Sequence, residues 1–588
     1  MFANEYPQAD FILKNINALR ACQSIHDLAA LLNLKGSTIS FELYKVPDSA
    51  KYTTFLVPKK SGGSRAIDAP HARLKLLQKR LARLLADCLA EIESDQMVDE
   101  SCALAHGFHR GRSTITNASI HRNRRTVINF DLSDFFPSIN FGRVQGYFQK
   151  NRYFLLNPRV ALVIAQITCH RGVLPQGAPT SPVISNLIAN SMDIHLSRMA
   201  SAARCSYSRY ADDITLSTNE KKIPRAIAYL SSSGSGHEWV IGDGLRSRVF
   251  RSGFTINDKK TRSQYTSSRQ DVTGLVVNSK VNVKTEFYRQ ARAVVDSFVR
   301  RGYGYRQDST GPASAKLVSR DVCRGMLAHI FLVRGREFDH KRIIKDAVKS
   351  PPAFYGVMRR FLDFDRFHSH PQTMIICEGK TDNVYIRAAI RNLWKKFPAL
   401  LKSSHASADL AVSLFRYSRQ TDAVQMLGGG TGDLAQFIQT YKHFHKLVSA
   451  DKGANPVIVF IDNDDGAKPI YSVVKQVNPT LGTVDGKKSY YHVTDNLYVV
   501  PTPLLPGKTK TAIEDFFEPS LLLTQVGGKK FNPSSKTFDR ATDYGKEIFA
   551  QRVVKSGQAA IDFSGFAEIL KRIEKVRKIH AKAVIGNP

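Results

Sequence analysis

The sequence predicts an α+β amino-terminal half followed by an α/β domain with a mostly parallel sheet. With 588 residues the chain is too long for one hydrophobic core, so two or three domains are expected. The strings RTVINFDLSDFF (125–136) and SYSRYADDITLST (206–218) are typical of a buried strand and a hairpin. The strings TMIICEGKTDNVYIRAAI (373–390) and NPVIVFIDNDDGAKPI (455–470) place an apolar strand before an acidic turn, which indicates a parallel sheet.

The other elements follow from apolar spacing and from turn residues. Those of the first half are short helices over 11–45, a hairpin over 52–70, a basic amphipathic helix over 72–92 and a helix over 179–200. Residues 285–365 are basic and helix-like, apart from a polar patch at 306–314. A domain boundary is predicted near 366, and SSSGSGHE at 231–238 is the clearest flexible insertion.

The amino-acid composition indicates the kind of binding partner and the cellular compartment of the protein. The formal net charge of +34 indicates a polyanionic partner, because Lys and Arg gain affinity by displacing counterions from phosphates. The seven cysteines are scattered and contain no CxxC pair, which disfavours a disulfide framework or a cysteine zinc site. No signal peptide and no apolar stretch long enough to span a bilayer is found, so a cytoplasmic location without membrane contact is predicted.

Two adjacent aspartates interrupt the hairpin pattern. Ala211 and Asp212 are predicted at the hairpin tip, where carboxylates project from the end of the sheet. Neighbouring acids repel each other unless a divalent cation lies between or beside them, although a solvated Asp-rich turn is a common alternative. Asp131 ends a second strand, so Asp131 and Asp212, with Asp213 beside them, are predicted to hold two Mg²⁺ ions. No His or Cys accompanies these acids, which favours a hard cation.

Five motifs together resemble those of reverse transcriptases. They are DLSDFF, LPQGAPTSPVISNLI (174–188), YADD, GFTINDKKTR (253–262) and VTGLVVN (272–278), in the family's order. The resemblance covers about 50–280 and implies a right-hand polymerase fold with fingers, palm and thumb. It implies that Asp131, Asp212 and Asp213 are the catalytic acids of DNA synthesis from deoxynucleoside triphosphates (dNTPs).

The same resemblance implies a nucleotide pocket. Phe136 matches the aromatic residue that excludes a 2′-hydroxyl, although a core phenylalanine is the alternative. Gln176 and Gly177 match the segment that lines the pocket. Arg65 and one of two lysines, Lys59 or Lys60, resemble the fingers hairpin that holds the triphosphate, with a solvated basic turn as the alternative.

Two shorter strings resemble signatures of the bacterial retron reverse transcriptases. NASIH contributes Asn117, Ala118 and His121, and VTG contributes Val272, Thr273 and Gly274. The resemblance implies that the enzyme copies part of a cognate noncoding RNA, primed by an internal guanosine 2′-hydroxyl. The product is DNA branched from RNA, called msDNA. These six residues are expected to belong to RNA-recognition motifs, and 281–365 is expected to be a thumb that recognises an RNA stem-loop. No RNase H-like module is evident, so a host RNase H is expected to trim the template.

The carboxy-terminal motifs resemble the Toprim fold. Glu378 follows one apolar strand, and Asp462 and Asp464 follow another, so the three are expected to hold Mg²⁺ or Mn²⁺ at one sheet edge. A polar loop capping a strand is the alternative. GGGTGD (428–433) is expected to form a tight turn before a helix. Further along, Glu514, Asp515 and Lys546 resemble more loosely the acidic element and lysine of OLD-family Toprim nucleases; a helix end and a solvated lysine are the alternatives.

The whole chain is therefore interpreted as a retron reverse transcriptase with a fused Toprim nuclease that acts in anti-phage defence. The predicted domains are 1–280 for fingers and palm, 281–365 for the thumb and 366–588 for Toprim. An inactive Toprim fold that binds nucleic acid or a partner remains an alternative. For the whole protein, the alternatives are an intron-type or diversity-generating reverse transcriptase and a non-catalytic RNA-binding scaffold. The sequence leaves a homo-oligomer open.

Overall fold

The computed structural model describes most of the chain and divides it into two compact units. The described residues are 13–59, 62–95, 104–230, 239–306, 316–335, 353–446, 448, 453–533 and 537–585. Unit 1 is Met1–Lys284 and unit 2 is Thr285–Pro588. Lys60 and the insertion predicted at 231–238 lie outside the described residues, as does most of the polar patch at 306–314. No described helix combines the length and the apolar character needed to cross a membrane.

Unit 1 combines helices with short antiparallel sheets. Its helices are Lys14–Ala21, Ile25–Leu31, Gly36–Tyr44, Asp48–Lys51, Ala72–Asp95, Thr114–Ile120, Phe141–Lys150, Pro158–Thr168, Ser181–Ala202 and Asp243–Arg251. Its strands are β1 (Tyr52–Pro58), β2 (Ser64–Pro70), β3 (Thr126–Leu132), β4 (Ser206–Tyr210), β5 (Asp213–Thr218), β6 (Ala228–Leu230), β7 (Trp239–Ile241), β8 (Ile256–Tyr265), β9 (Asp271–Val272) and β10 (Leu275–Val276). The predicted hairpin over 52–70 is confirmed as the β1–β2 pair.

A four-stranded antiparallel sheet, in the order β4-β5-β3-β8, forms the centre of unit 1. The second predicted hairpin is confirmed as β4 and β5, joined by Ala211 and Asp212. Ala211 takes a left-handed φ of 58°, which closes the turn. β3 is almost wholly buried because apolar side chains cover both of its faces, and it pairs with β5 and β8. The sheet therefore has a buried centre whose strand ends carry the predicted acids.

Unit 2 consists mainly of helices and a second, five-stranded sheet. Its α-helices are Thr285–Arg301, Arg320–Arg334, Ala353–Asp363, Asp382–Asn392, Arg419–Gln425, Thr431–Lys446, Lys468–Val477, Pro519–Leu522, Lys546–Ile548, Lys555–Gly557 and Ala567–Ile585. Single π turns cover Phe364–His368 and Phe549–Val554, and 3₁₀ turns cover Pro398–Leu400, Asp465–Ala467, Ile513–Phe516 and Ser564–Phe566. Its strands are β11 (Gly304–Arg306), β12 (Lys316–Val318), β13 (Thr373–Cys377), β14 (Val412–Leu414), β15 (Val457–Ile461), β16 (Tyr491–Thr494), β17 (Leu497–Pro501), β18 (Lys530–Phe531) and β19 (Asp543–Tyr544).

The described residues of 285–365 are mainly helical, with one addition to the prediction. The small antiparallel pair β11–β12 flanks the polar patch, where the sequence predicted only loose structure. Strands of three residues are too short to show an alternation of apolar and polar side chains, so the sequence pattern did not predict them.

The main sheet of unit 2 has the order β14-β13-β15-β17-β16. Its strands are parallel except for β16, which pairs antiparallel at one edge. Side chains of β13 alternate between two cores, with Ile375 and Cys377 in one and Met374 and Ile376 in the other. Both faces are covered, which explains why the strands read as continuous apolar runs.

Candidate active sites

Three carboxylates meet at the end of the unit 1 sheet. Asp131 on β3 lies directly opposite Asp213 on β5 in the antiparallel register. Residues opposite each other in such a pair have Cβ atoms about 5 Å apart. Asp212 precedes Asp213 in the turn, and its carbonyl oxygen accepts a hydrogen bond from the Leu132 amide at 2.9 Å. The predicted acids are thus brought together by strand pairing.

The turn that carries Asp212 is fixed from behind by a buried ion pair. Arg209 and Asp193 are both fully buried, and the guanidinium contacts both carboxylate oxygens at 2.8 and 2.7 Å. A third nitrogen of Arg209 donates to the Ala211 carbonyl oxygen at 3.0 Å. Gly107 lies against the same turn, where a Cβ would come within 2.5 Å of the Ala211 amide nitrogen. The hairpin tip is therefore held by bonds that do not use its carboxylates.

The electrostatics of the three acids show mutual repulsion. Burial raises the pKa of the Asp213 carboxyl to about 7, and the charges of Asp131 and Asp212 contribute to the shift. Burial followed by the charge of Asp131 also raises the pKa of Asp212. The Oδ1 atom of Asp213 is buried without a hydrogen-bond partner. Such a group fits a site that binds a cation, because a cation would satisfy the oxygen and remove the repulsion.

Lys260, within the motif GFTINDKKTR, balances part of this negative charge. Lys260 on β8 contacts the Asp131 carboxylate at 2.5 Å, and this hydrogen bond raises the pKa of the Lys260 ammonium. Within the described residues, no three or more His, Cys, Asp or Glu side chains are placed so that they already form a metal-holding group. The donor set is nonetheless all carboxylate oxygen, the chemistry that Mg²⁺ prefers.

Removing the charge of Asp213 is expected to stabilise the protein in EDTA. The folded-state pKa of about 7 lies above the ordinary value of 3.8, so the folded chain holds its proton longer than the unfolded chain. The protonated Asp213 carboxyl contributes its full share to the free energy of unfolding below about pH 3.8, and this contribution is lost as the pH rises through about 7. Asp213→Asn should therefore raise the free energy of unfolding more at pH 8.5 than at pH 5.5, by roughly 1–2 kcal/mol. Urea unfolding at both pH values measures this, with the exposed Asp258→Asn as control; an equal gain at both would contradict it.

Three of the predicted nucleotide-pocket residues, Arg65, Gln176 and Gly177, have contacts that relate them to the acids or to β2. Burial raises the pKa of Asp212, and the positive charge of Arg65 offsets part of this rise, which puts Arg65 within electrostatic reach of the acids. Gln176 accepts a hydrogen bond from the Asp68 amide at 2.8 Å. A Cβ on Gly177 would lie 2.7 Å from the Asp68 carbonyl oxygen, so this segment packs directly on β2.

Lys59 lies at the turn of the β1–β2 hairpin, where its amide donates to Gly63 at 3.0 Å and its side chain is exposed. Lys60 is outside the described residues, so the choice between the two lysines stays open.

Phe136 is half-buried, with its ring centroid 5.4 Å from that of Phe135 and 6.2 Å from that of Phe108. The ring is packed against the core of unit 1 but remains partly accessible. Phe136→Ala is expected to reduce the preference for dNTPs over ribonucleotides by roughly 10–100-fold. Single-nucleotide incorporation kinetics measure this preference, and Phe250→Ala, at an exposed phenylalanine, is the control. An unchanged preference would leave Phe136 as a packing residue.

Four of the six expected RNA-recognition residues are buried. Asn117, Ala118, His121 and Val272 each have no exposed surface. Their side chains are therefore not available for direct contact with RNA, which corrects the simplest form of the prediction. Thr273 is half-buried and Gly274 is exposed, so a contact role stays a prediction for these two.

His121 is buried in unit 1 as a hydrogen-bonded residue. Its two ring nitrogens lie 2.7 Å from the hydroxyls of Ser217 and Ser208, which belong to β5 and β4. Burial lowers the pKa of His121 to about 3, so the ring is neutral. His121 therefore joins the helix Thr114–Ile120 to the hairpin that carries the acids.

A second acidic group lies at the carboxyl end of the unit 2 sheet. Glu378 follows β13 and Asp462 follows the neighbouring parallel strand β15. The Asp462 amide donates to Glu378 Oε2 at 3.3 Å. Asp464 lies in the exposed turn beyond β15, and its charge contributes to raising the pKa of Glu378, after burial. Parallel strands thus bring the predicted acids to one edge.

The group also includes residues beyond that edge. Glu514 pairs with Lys546 at 3.0 Å. Asp382, which was not predicted, has its pKa raised to about 7 by burial and by the charges of Glu514 and Glu378. Burial raises the pKa of Asp462 to about 8, with contributions from Asp382, Glu514 and Glu378. Strongly perturbed acids that converge in this way are typical of functional sites.

Asp515 is engaged locally. Its carboxylate accepts from the Ala512 amide at 2.8 Å and pairs with Lys508 at 2.9 Å. The glycine turn is present before the helix Thr431–Lys446, with Gly429 and Gly430 at φ values of 112° and 96°. The Gly430 amide donates to the Glu378 carbonyl oxygen at 3.2 Å, which ties the turn to the acidic group.

Sequence comparison defines the class of unit 1. The family described as "Reverse transcriptase (RNA-dependent DNA polymerase)" matches residues 57–277, the segment that holds the three acids. The "Retron Ec86 reverse transcriptase" of Escherichia coli is 32% identical over 289 residues, covering 48% of this chain and 81% of that protein. The chain belongs to the retron reverse transcriptase family.

Two relatives from Myxococcus xanthus agree. The "Retron Mx65 reverse transcriptase" is 33% identical over 46% of this chain and 61% of its own length. The "Retron Mx162 reverse transcriptase" is 32% identical over 47% of this chain and 59% of its own length. A solved structure of apo telomerase from Candida tropicalis aligns with 41% of this chain and with 56% of the telomerase chain. The sequence identity is 13% and the TM-score is 0.25. Each of these matches covers less than half of this chain.

Proposed function

We propose that the chain synthesises msDNA by copying part of a cognate noncoding RNA, primed by an internal guanosine 2′-hydroxyl. The observation that carries the polymerase assignment is the pairing of Asp131 with Asp213 across β3 and β5, beside Asp212. A scaffold that only binds RNA needs no such group of mutually repelling acids.

Different residues of unit 1 are assigned separate roles in nucleotide addition. Asp131, Asp212 and Asp213 would hold two Mg²⁺ ions, which supply charge neutralisation for the triphosphate and a lower pKa for the attacking sugar hydroxyl. Arg65 places a guanidinium near the acids, where it pairs with a triphosphate. Phe136 excludes a 2′-hydroxyl, and Gln176 and Gly177 form the wall against β2. Lys260 would give up its ion pair with Asp131 if a cation were held there.

The stretch 281–365 is proposed to bind the RNA as a thumb. Arg289, Arg292 and Arg360 line a cavity of about 360 Å³ in its helices, which also contains Asp296. Guanidinium groups in this number suit phosphates of a folded RNA. Template RNA is proposed to be trimmed by a host RNase H.

The nucleic acid that copurifies with the chain tests this proposal. Treatment with a debranching enzyme should separate DNA from RNA, because a 2′–5′ bond joins them in the proposed product. An intron-type or diversity-generating enzyme would give no branched species, and an inverted-repeat RNA gene would be missing next to the coding sequence.

We further propose that 366–588 is a Toprim domain acting as a metal-dependent nuclease. The parallel order of β13 and β15, with Glu378 and Asp462 at one edge, supports this assignment. Mg²⁺ or Mn²⁺ would be held by Glu378, Asp462 and Asp464. Lys546 places a positive charge beside Glu514, where it can neutralise a phosphate. An inactive fold would not require several buried acids with raised pKa values.

Glu378→Gln is expected to abolish this nuclease activity, with a loss of about 10²-fold or more, because it removes a cation-binding charge at the sheet edge. The assay is cleavage of radiolabelled single- and double-stranded DNA and RNA with Mn²⁺. Glu518→Gln, at an exposed glutamate, is the matched control. Equal cleavage by both variants would refute the nuclease assignment.

The product of unit 1 is proposed to restrain the nuclease until phage infection disturbs it. Phage protection should then be lost in both Glu378→Ala and Asp212→Ala cells. Protection that survives Glu378→Ala but not Asp212→Ala would remove the effector role from the Toprim domain.

A further inference from the structure

A cavity in unit 1 lies apart from the residues assigned above. Its volume is about 330 Å³, and it is formed by the helices Ala72–Asp95, Phe141–Lys150 and Ser181–Ala202 with the loop after the second. None of the three catalytic acids lines it. The floor is apolar, with Ile92 and Leu187 almost completely buried. An apolar floor with polar walls is the usual construction of a ligand site.

The polar groups of this cavity are not taken up by bonds to other described side chains. The side chains of Tyr147, Asn190, Ser191, His195 and Arg198 line it, and none makes a hydrogen bond or ion pair with a described residue. Elsewhere in the unit, Arg209 and Asn186 are fully bonded to neighbours. Burial raises the pKa of the Tyr147 hydroxyl, and the ring packs against Phe148 and Phe154. Tyr147 and Asn190 are half-buried, whereas Ser191, His195 and Arg198 are exposed, so the donors and acceptors of all five stay available to a ligand.

The charge of the walls selects the ligand. Arg152, His195 and Arg198 are exposed at the rim, and no acidic side chain is among the described residues that line the cavity. Arginine forks bind phosphate oxygens with two parallel hydrogen bonds. The cavity is therefore suited to an anion and not to a metal cation.

The remaining groups select the kind of anion. Asn190 offers an amide donor and acceptor, and Ser191 offers a hydroxyl, as base edges and ribose hydroxyls require. Tyr147 and Tyr153 supply aromatic rings, and Arg152 already stacks on Tyr153 with its guanidinium 4.8 Å from the ring centroid. Proteins that read single-stranded RNA use this combination of rings, amides and guanidinium planes.

We propose that this cavity, which we name the helix pocket, binds one unpaired ribonucleotide of the RNA that the enzyme carries. The base lies over the apolar floor against Tyr147, its edge bonds to Asn190 and Ser191, and its phosphate pairs with His195 and Arg198. The proposal rests on the proposed function only in assuming an RNA partner. A free nucleotide shares the same chemistry and is distinguished by the test.

Binding of short single-stranded oligoribonucleotides, one for each base, tests the proposal at fixed salt with the full-length chain. Two variants are used: Tyr147→Phe, which removes only the unpaired hydroxyl, and the rim double variant His195→Ala with Arg198→Ala. The control is Arg159→Ala, which removes an exposed charge outside the helix pocket. We expect the double variant to bind the preferred oligoribonucleotide about tenfold more weakly and Tyr147→Phe about threefold more weakly. The control should stay within about twofold.

Ultraviolet crosslinking locates the contact independently. The preferred oligoribonucleotide should crosslink to a peptide that contains Tyr147 or His195. Wild-type affinity of both variants for all four oligoribonucleotides would overturn the proposal. So would equal affinity of the wild-type chain for free nucleoside monophosphates, which would make a free nucleotide the ligand. No dNTP or metal is present in this assay, so its failure is distinct from a failure of polymerase activity.

Discussion

Replacing Asp212 by asparagine is expected to lower primer extension by about 10³-fold or more with Mg²⁺ and dNTPs. The substitution removes one negative charge from the group formed with Asp131 and Asp213 but keeps the size of the side chain. The main-chain bond from Leu132 to the residue 212 carbonyl remains, so the hairpin is expected to fold. Single-turnover kinetics on a primed RNA template, where binding and chemistry separate, measure the loss.

The control for this experiment is Asp258→Asn. Asp258 lies on β8 of the same sheet, but its carboxylate is exposed and pairs with Arg246 at the surface. Exposed ion pairs contribute about 0–1 kcal/mol, so both stability and activity should stay close to wild type. Unchanged synthesis by Asp212→Asn would show that the catalytic acids lie elsewhere.

Breaking the buried Arg209–Asp193 pair is expected to produce the largest loss of stability. Asp193→Ala leaves the fully buried guanidinium without its carboxylate, while the Tyr207 hydroxyl also loses its acceptor. Removing one partner of a buried pair typically costs about 3–5 kcal/mol of unfolding free energy. Activity should fall as well, because Arg209 also bonds to the Ala211 carbonyl. Urea unfolding monitored by circular dichroism measures the change.

A double-mutant cycle separates the pair from its surroundings. Arg209→Met combined with Asp193→Leu removes both charges and should recover part of the lost stability. The exposed Arg204–Glu220 pair, at 3.3 Å, is the matched control, and its disruption should cost less than about 1 kcal/mol. Equal costs for the buried and the exposed pair would contradict the assigned role of Arg209.

Local pattern was sufficient to predict the parts of the fold that hold the acids. β3 is a run of apolar residues that ends at Asp131, and the YADD turn is flanked by alternating strands, so both elements are encoded within about a dozen residues. The apolar strands before Glu378 and Asp462 are encoded in the same way. Because neighbouring strands meet at shared edges, these patterns also predicted which acids lie together.

The partners of those acids were not predictable because they depend on register and distance. Lys260 reaches Asp131 from β8, and only the observed pairing of Asn257 with Asp131 places it there. Asp382 follows Glu378 in the same turn and accepts a hydrogen bond from the Gly379 amide at 2.8 Å, but its burial depends on packing beyond that turn. Arg209 did leave a signal, because an arginine in a buried strand requires an acid nearby. The motif NASIH was recognisable by its letters, whereas the burial of Asn117 and His121 depends on packing against β4 and β5.

Anomalous diffraction from crystals of the full chain soaked with Mn²⁺ and a dNTP tests whether Asp131 and Asp212 bind cations. Manganese peaks are expected next to the carboxylate oxygens of Asp131 and Asp212, with Lys260 displaced from Asp131. Manganese bound only elsewhere, with the Lys260–Asp131 ion pair intact, would contradict this expectation.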